Sequence, residues 1–272
     1  MMDALSGGEL GVLTLLILAA AILYSSVGHA GASAYLAAMS LFGLAPEQMK
    51  PAALILNVAV ATLATVRYIR AGCFQPRIWF LFTSASIPCA ALGGYWTLPT
   101  SLYKPIVGLV LLFAAGRFLL EPRTNSPGDG SSGSPQEHLR PLRWPIAALW
   151  GASIGLLSGL TGTGGGIFLS PLILLMRWAT TRQTSGISAA FILANSLAGL
   201  GGLLTRGATI PPPVGIWLIA VLIGGWIGSS LGARRLSIGS LRKLLGVVLV
   251  IGGCKMLLGD GVWYRLFPFL GN

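Results

Sequence analysis

Ser158-Gly159-Leu160-Thr161-Gly162-Thr163-Gly164-Gly165-Gly166-Ile167-Phe168-Leu169-Ser170-Pro171-Leu172 is the stretch whose reading decides the fold. Glycines and hydroxyl residues break an otherwise apolar run, and the chain cannot face lipid there. In hydrocarbon each unpaired backbone amide costs several kcal/mol, so irregular backbone at membrane depth survives only inside protein or beside a wet cavity. Glycine lets the chain turn and lets a ligand approach main-chain N–H groups, and a helix that follows aims its positive dipole end at the same point. An anion cradle built from Thr161, Thr163, Gly164, Gly165 and Gly166 is one reading. Close helix packing through small residues is the other, and the glycines alone do not separate the two.

Working outward, composition sets the class. Apolar residues make up 54% of the 272 and charged residues only 9%, against about 25% charged in an average soluble domain. An all-α integral membrane protein is the expectation. Apolar runs cover roughly 10–27, 31–43, 51–66, 78–96, 103–116, 144–160, 165–176, 186–205, 214–232 and 243–258. About 20 residues cross the hydrocarbon core, whereas 10 to 14 suit a re-entrant piece. Six to eight runs are thus expected to cross, with short pieces flanking each glycine loop. The first run lacks a basic flank and a small-residue cleavage site after it, so it reads as retained.

The net charge of +11 does not point to nucleic acid, because lysines and arginines sit singly or in pairs at the ends of apolar runs, facing water and headgroups. Cys73, Cys89 and Cys254 form no CxxC or Cys/His cluster, so they read as packing residues, with no metal and no disulfide framework implied. No cofactor is expected.

A second glycine loop, Gly28-His29-Ala30-Gly31-Ala32-Ser33-Ala34-Tyr35-Leu36, follows the first run. Gly31, Ser33, Tyr35 and Leu36 line up with Gly164, Gly166, Phe168 and Leu169. Further on the correspondence holds one offset, 195 − 57 = 138 for Asn57 and Asn195, which also pairs Ile78-Trp79 with Ile216-Trp217, Gly94 with Gly232, Gly108 with Gly246, and Arg117 with Lys255. The chain therefore reads as a first membrane repeat over 1–120, a polar flexible linker over 121–143 rich in Ser, Gly and Pro, and a second repeat over 144–272. Each repeat is expected to hold one broken, re-entrant helix pair plus three full membrane helices.

Positive charge argues for orientation. Arg67, Arg70 and Arg77 gather in one connection of the first copy, whereas the second copy gathers Arg234, Arg235, Arg242 and Lys243 one connection later and Arg177 with Arg182 one earlier. If each glycine loop is the apex of a V returning to its starting face, all these clusters and the linker fall on the cytoplasmic side. That is an inverted-topology repeat, which places a site near the bilayer midplane. Lys50, Lys104 and Arg206 run against the rule.

The seven acidic residues, Asp3, Glu9, Glu47, Glu121, Asp129, Glu137 and Asp260, lie at termini or in connections, so no intramembrane carboxylate is on hand to bind a cation. What remains is hydroxyls, amides and backbone N–H groups, suited to a small anion met by helix dipoles and hydrogen bonds. Asn57 and Asn195, with the neighbouring Ser196, can each turn a side chain to such a site; an asparagine holding two helices together is the alternative. Ser26, His29 and Ser33 border the first loop. His29 either attracts an anion and titrates near neutrality or is a neutral hydrogen-bonded residue. Arg67, Arg70 and Arg206 either snorkel to headgroups or form an electrostatic funnel. The segment Trp263-Tyr264-Arg265-Leu266-Phe267-Pro268-Phe269 reads as an interfacial anchor.

Gly162-Thr163-Gly164-Gly165-Gly166 followed by Pro171-Leu172, the degenerate copy at Gly28 to Leu36, the duplicated halves and the length resemble the sulfite exporter TauE/SafE family of membrane permeases. The likeness covers nearly the whole chain. The first copy departs from it, with His29, Ala30, Ala32 and Ser33 where glycines are usual. The resemblance implies transport of sulfur oxyanions or organosulfonates across the plasma membrane. Export of a monovalent anion runs downhill in an inside-negative potential, by about 2.3 kcal/mol per charge per 100 mV. An anion channel, a permease for another organic acid and a non-transporting scaffold remain open, as does a homodimer. An enzyme is not expected, since His29 and His138 are the only histidines and no Ser/His/Asp or Cys/His set is complete.

Overall fold

The computed structural model describes residues 6–26, 28–120, 142–233 and 246–258, with the backbone alone at 117–120 and 231–233. Every apolar run is a helix: α1 (Gly7–Ser26), α2 (Ala32–Leu41), α3 (Pro46–Arg70), α4 (Pro76–Tyr95), α5 (Thr100–Leu120), α6 (Trp144–Thr161), α7 (Gly166–Leu175), α8 (Thr181–Leu204), α9 (Val214–Ala233) and α10 (Gly246–Leu258). Five of them, α1, α3, α4, α6 and α8, are both long and apolar enough to span a bilayer. The chain is a multi-pass helical membrane protein. The linker over 121–141, the arginine cluster at 234–243 and the aromatic segment at 263–269 lie outside the described residues.

Prolines start α3, α4 and α6, where the missing N–H is one no helix would use. At the start of α8, Thr180 and Gln183 form a capping box. Glu9 and Glu47 stand in the first turns of α1 and α3 rather than in connections, a placement the helix dipole favours.

The arms of each break are unequal. α1 has 20 residues and α6 has 18, while α2 and α7 have 10 each. At 1.5 Å per residue the first arm can cross and the second reaches about half as far. The expectation of short pieces on both sides of each loop thus holds only for the second arm, because hydropathy marks where a run is apolar but not where its partner begins.

Packing does not follow chain order. α4 packs chiefly on α6 and α8, and α9 on α1 and α3. Each half of the sequence lends its fourth helix to the other half. Two buried clusters result. One joins α1, α2, α3, α5, α9 and α10 around Tyr24, Tyr35, Leu56 and Trp217, with Ile167 of α7 and Ile192 of α8 reaching into it; the other joins α4, α6, α7 and α8 around Phe82, Ile154, Trp178 and Phe191. α3 and α8 pack on each other between them, and exchanging the halves leaves this pattern of partners unchanged.

Small residues make the exchange close. A Cβ at Gly151, Gly155 or Gly159 of α6 would collide with the main chain of Phe82, Ser86 or Ala90 in α4, so the spacing of four residues on α6 is a packing stripe. Arginines staple the lent helices. Arg67 Nη1 donates to Trp226 O at 3.1 Å and to Ser230 Oγ at 2.8 Å, its guanidinium 6.0 Å from the Trp226 ring centroid. Arg206 Nη1 donates to Thr97 Oγ1 at 3.0 Å and to Tyr95 O at 3.4 Å, its guanidinium 5.4 Å from the Tyr95 ring centroid. These side chains tie helix to helix.

Candidate functional site

Both breaks lie at the seam between the clusters. Gly164 and Gly165 adopt left-handed backbone, φ 77° and 78°, which swings the chain from the end of α6 to the start of α7; a side chain at either would be strained. Main-chain hydrogen bonding lapses there. Gly162 N–H still donates to Ser158 O, and bonding resumes where Phe168 and Leu169 donate to Gly165 O. Among the described residues the five N–H groups from Thr163 to Ile167 have no acceptor. The first break repeats the pattern: bonding resumes where Tyr35 N–H donates to Gly31 O, and among the described residues the N–H groups from Ala30 to Ala34 have no main-chain acceptor. Each short helix thus opens on a run of free donors at its positive end.

The second loop rests on polar groups from both clusters, Asn57 of α3 and Ser196 of α8. A Cβ on Gly164 would lie 2.6 Å from Asn57 Nδ2 and 3.1 Å from Ser196 Oγ. Asn57 Nδ2 donates to Ser196 Oγ at 3.4 Å, leaving Asn57 Oδ1 unpartnered. Asn195, one residue before Ser196, turns the other way: its Oδ1 accepts from Ser86 Oγ at 2.7 Å, and its Nδ2 is unpartnered. Both asparagines are fully buried. Ser158 Oγ is a third buried atom without a partner, its side chain against Gly165.

A hydroxyl chain runs beside this group. Ser170 Oγ lies 2.9 Å from His29 Nε2 and 2.7 Å from Ser188 Oγ, so the first loop's histidine meets the first turns of α7 and the body of α8. Gly166 is within reach, since a Cβ there would stand 3.6 Å from His29 Cδ2.

The sequence-derived candidates therefore divide. His29, Asn57, Gly164, Gly165, Gly166 and Ser196 come together at the seam. Thr163 Oγ1 pairs with Thr161 Oγ1 at 2.9 Å, and Thr161 also donates to Leu157 O, so these two brace the loop. Asn195 faces α4. Ser33 is taken by Tyr24 at 2.7 Å, and Ser26 donates to Leu23 O of its own helix; neither reaches the seam group by a hydrogen bond. Ser86, Ser158, Ser170 and Ser188 were missed, because lone serines in apolar helices carry no pattern.

The seam is closed. Ile192 packs against Gly164 and Gly166 where the sequence suggests an open cradle, since a loop without side chains lets its neighbours fill the space. Two cavities lie elsewhere: one of about 30 Å³ among Ser40, Gly43, Leu44, Lys104, Lys255 and Met256, and an open apolar groove of about 500 Å³ along Leu63, Leu222, Ile223, Trp226 and Ile227. The cysteines are free and half-buried.

Two broken helices meeting at the seam of a bundle that exchanges helices between its halves define a membrane-transporter architecture. The family model of the sulfite exporter TauE/SafE matches residues 13–256, and the chain belongs to that family of membrane transporters. It is similar to the probable membrane transporter protein y4hK of Sinorhizobium fredii, 39% identical over 238 residues that cover 87% of this chain and 94% of the relative. No solved structure matches the chain.

Proposed function

We propose that the protein exports a small anion, a sulfur oxyanion or organosulfonate of the sulfite type, through the seam between two inverted repeats, residues 1–120 and 144–272, joined by a cytoplasmic linker. One observation carries the reading: five consecutive free N–H donors open α7 over the buried amide of Asn57. Preorganised donors at a helix N-terminus suit an anion and need no carboxylate or metal. The closed seam is the occluded form of the cycle, and movement of one helix cluster against the other would expose the loops to either face in turn. The family name supports the substrate class, and the inside-negative potential supplies the direction of flux.

Purified protein in proteoliposomes tests it. Efflux of sulfite, thiosulfate or an organosulfonate is expected to follow the imposed voltage and to fall about tenfold in Thr163→Val, which removes the hydroxyl bracing the loop, a loss equivalent to about 1.4 kcal/mol of barrier. Voltage-independent flux, or none for any of these anions, overturns the proposal. Counterflow that saturates with substrate separates a carrier from a channel.

A further inference from the structure

Lys50 is a buried charge the proposed function leaves unused. It lies in the second turn of α3 and is 6% exposed. Its ammonium donates to Gly93 O at 3.0 Å and to Gly94 O and Trp96 O at 3.2 Å each. All three acceptors are neutral carbonyls at the C-terminal end of α4, which belongs to the other helix cluster. Glu47, three residues earlier, is exposed and is not among them. Nearby, Tyr103 OH of α5 donates to Thr161 O of α6 at 3.1 Å, a second tie across the same seam. Lys50 also underlies the second loop: a Cβ on Gly162 would stand 3.3 Å from Lys50 O and 3.4 Å from Lys50 Cγ. Lys255 differs. It is buried and donates to Leu41 O, but it ties α10 to α2 within one cluster.

We propose that Lys50 is a gate residue that sets anion specificity. An ionisable group inside a membrane protein is costly and is kept where it works. Neutral carbonyls hold an ammonium less strongly than an oxyanion does. Parting the clusters at this end pulls Nζ from the α4 carbonyls, and a passing oxyanion becomes the partner that compensates it. Opening is thereby coupled to the presence of an anion beside Gly162 and Thr163, and a neutral or cationic solute offers no such exchange. The inference rests on anion transport through the seam.

The test compares Lys50→Met, Lys50→Arg and Tyr103→Phe in the full chain, reading voltage-driven sulfite efflux in proteoliposomes and the sulfite-induced shift of thermal unfolding in detergent. Lys50→Met keeps length and drops charge; maximal flux is expected to fall about tenfold while the sulfite-induced shift persists, because the central donors are untouched. Lys50→Arg is expected to keep most of the flux. Tyr103→Phe removes a neutral tie and is expected to stay within about twofold. Wild-type flux in Lys50→Met overturns the proposal. So does a loss in Lys50→Met that merely tracks lost folded protein, or an equal loss in Tyr103→Phe, either of which makes Lys50 a structural brace. If the wild type shows neither sulfite flux nor a sulfite-induced shift, the anion-transport reading fails first and the gate falls with it.

Discussion

The two glycine loops align in sequence yet rest on different chemistry. In the first, Gly31 turns against its own tyrosine, a Cβ there lying 2.9 Å from Tyr35 Cζ and Oη. Tyr35 OH donates to Ala30 O at 2.6 Å, and Tyr24 OH holds Ser33. In the second, the residue aligned with Tyr35 is Phe168, which has no hydroxyl to fold back; its ring stacks on Phe113, centroids 5.4 Å apart. The loop is faced instead by Asn57 and Ser196. Among the described residues both loops leave five N–H groups without a main-chain acceptor, so the backbone device is present in both while the side chains around it differ. The first loop is plugged by phenols from its own half; the second meets an amide from the opposite half, and an amide can turn to a ligand.

The largest expected effect comes from adding one methyl to each loop. Gly164→Ala forces a left-handed residue to carry a Cβ, at about 1–2 kcal/mol, and drives it into Asn57 Nδ2 and Ile192 Cγ2, at 2.6 and 2.8 Å. Sulfite flux is expected to fall about a hundredfold, some 2.7 kcal/mol of barrier, because the strained loop and the displaced amide belong to the same site. Gly31→Ala, at φ 102°, carries comparable strain into Tyr35. Its expected outcome is a lower unfolding temperature with substrate KM unmoved. If Gly31→Ala raises KM as much as Gly164→Ala does, the loops are equivalent and the contrast is lost.

A middle-sized effect separates the two asparagines. Asn57→Asp places an acceptor-only group, charged when ionised, where an anion is to sit and removes the donor to Ser196. Flux is expected to drop about thirtyfold, or about 2 kcal/mol. Asn195→Asp keeps an acceptor for Ser86 on a face turned to α4, and its loss is expected to stay near fivefold, about 1 kcal/mol. Reversed magnitudes would move the site from the second loop to the α4 side of α8.

How much of this was legible beforehand follows from what each signal measures. Hydropathy located every described helix, since lipid exposure demands continuous apolar surface, and the 138-residue offset carried the parallel between Asn57 and Asn195 into both buried centres of α3 and α8. Partner choice left no mark: nothing in α4 says that it packs on α6 and α8 rather than on α3, because the glycines of α6 that admit it look like any small-residue stripe. Lys50 read only as an exception to the charge rule, when its burial against the end of α4 explains why it can stand there. Asn195 was paired with Asn57 by position, yet helix rotation sends its amide to Ser86, an angular detail that spacing does not encode.

The smallest expected effect concerns a residue of the first loop that crosses the seam through a side-chain hydrogen bond. His29 meets Ser170, and through it Ser188, so two roles compete: a neutral hydrogen-bonded brace or a titrating group coupled to protons. His29→Gln preserves a hydrogen-bonding amide and removes titration. A neutral hydrogen bond contributes about 1 kcal/mol net, so as a brace its alteration is expected to change flux by about fivefold or less, with the same pH profile as the wild type between pH 5 and 8, the range in which histidine titrates. Ser188→Ala, which cuts the far end of the chain without touching the ring, is expected to match it. A flattened pH profile in His29→Gln alone would show that the first loop holds working chemistry, and the division between a plugged loop and a binding loop would then give way to one between a proton site and an anion site.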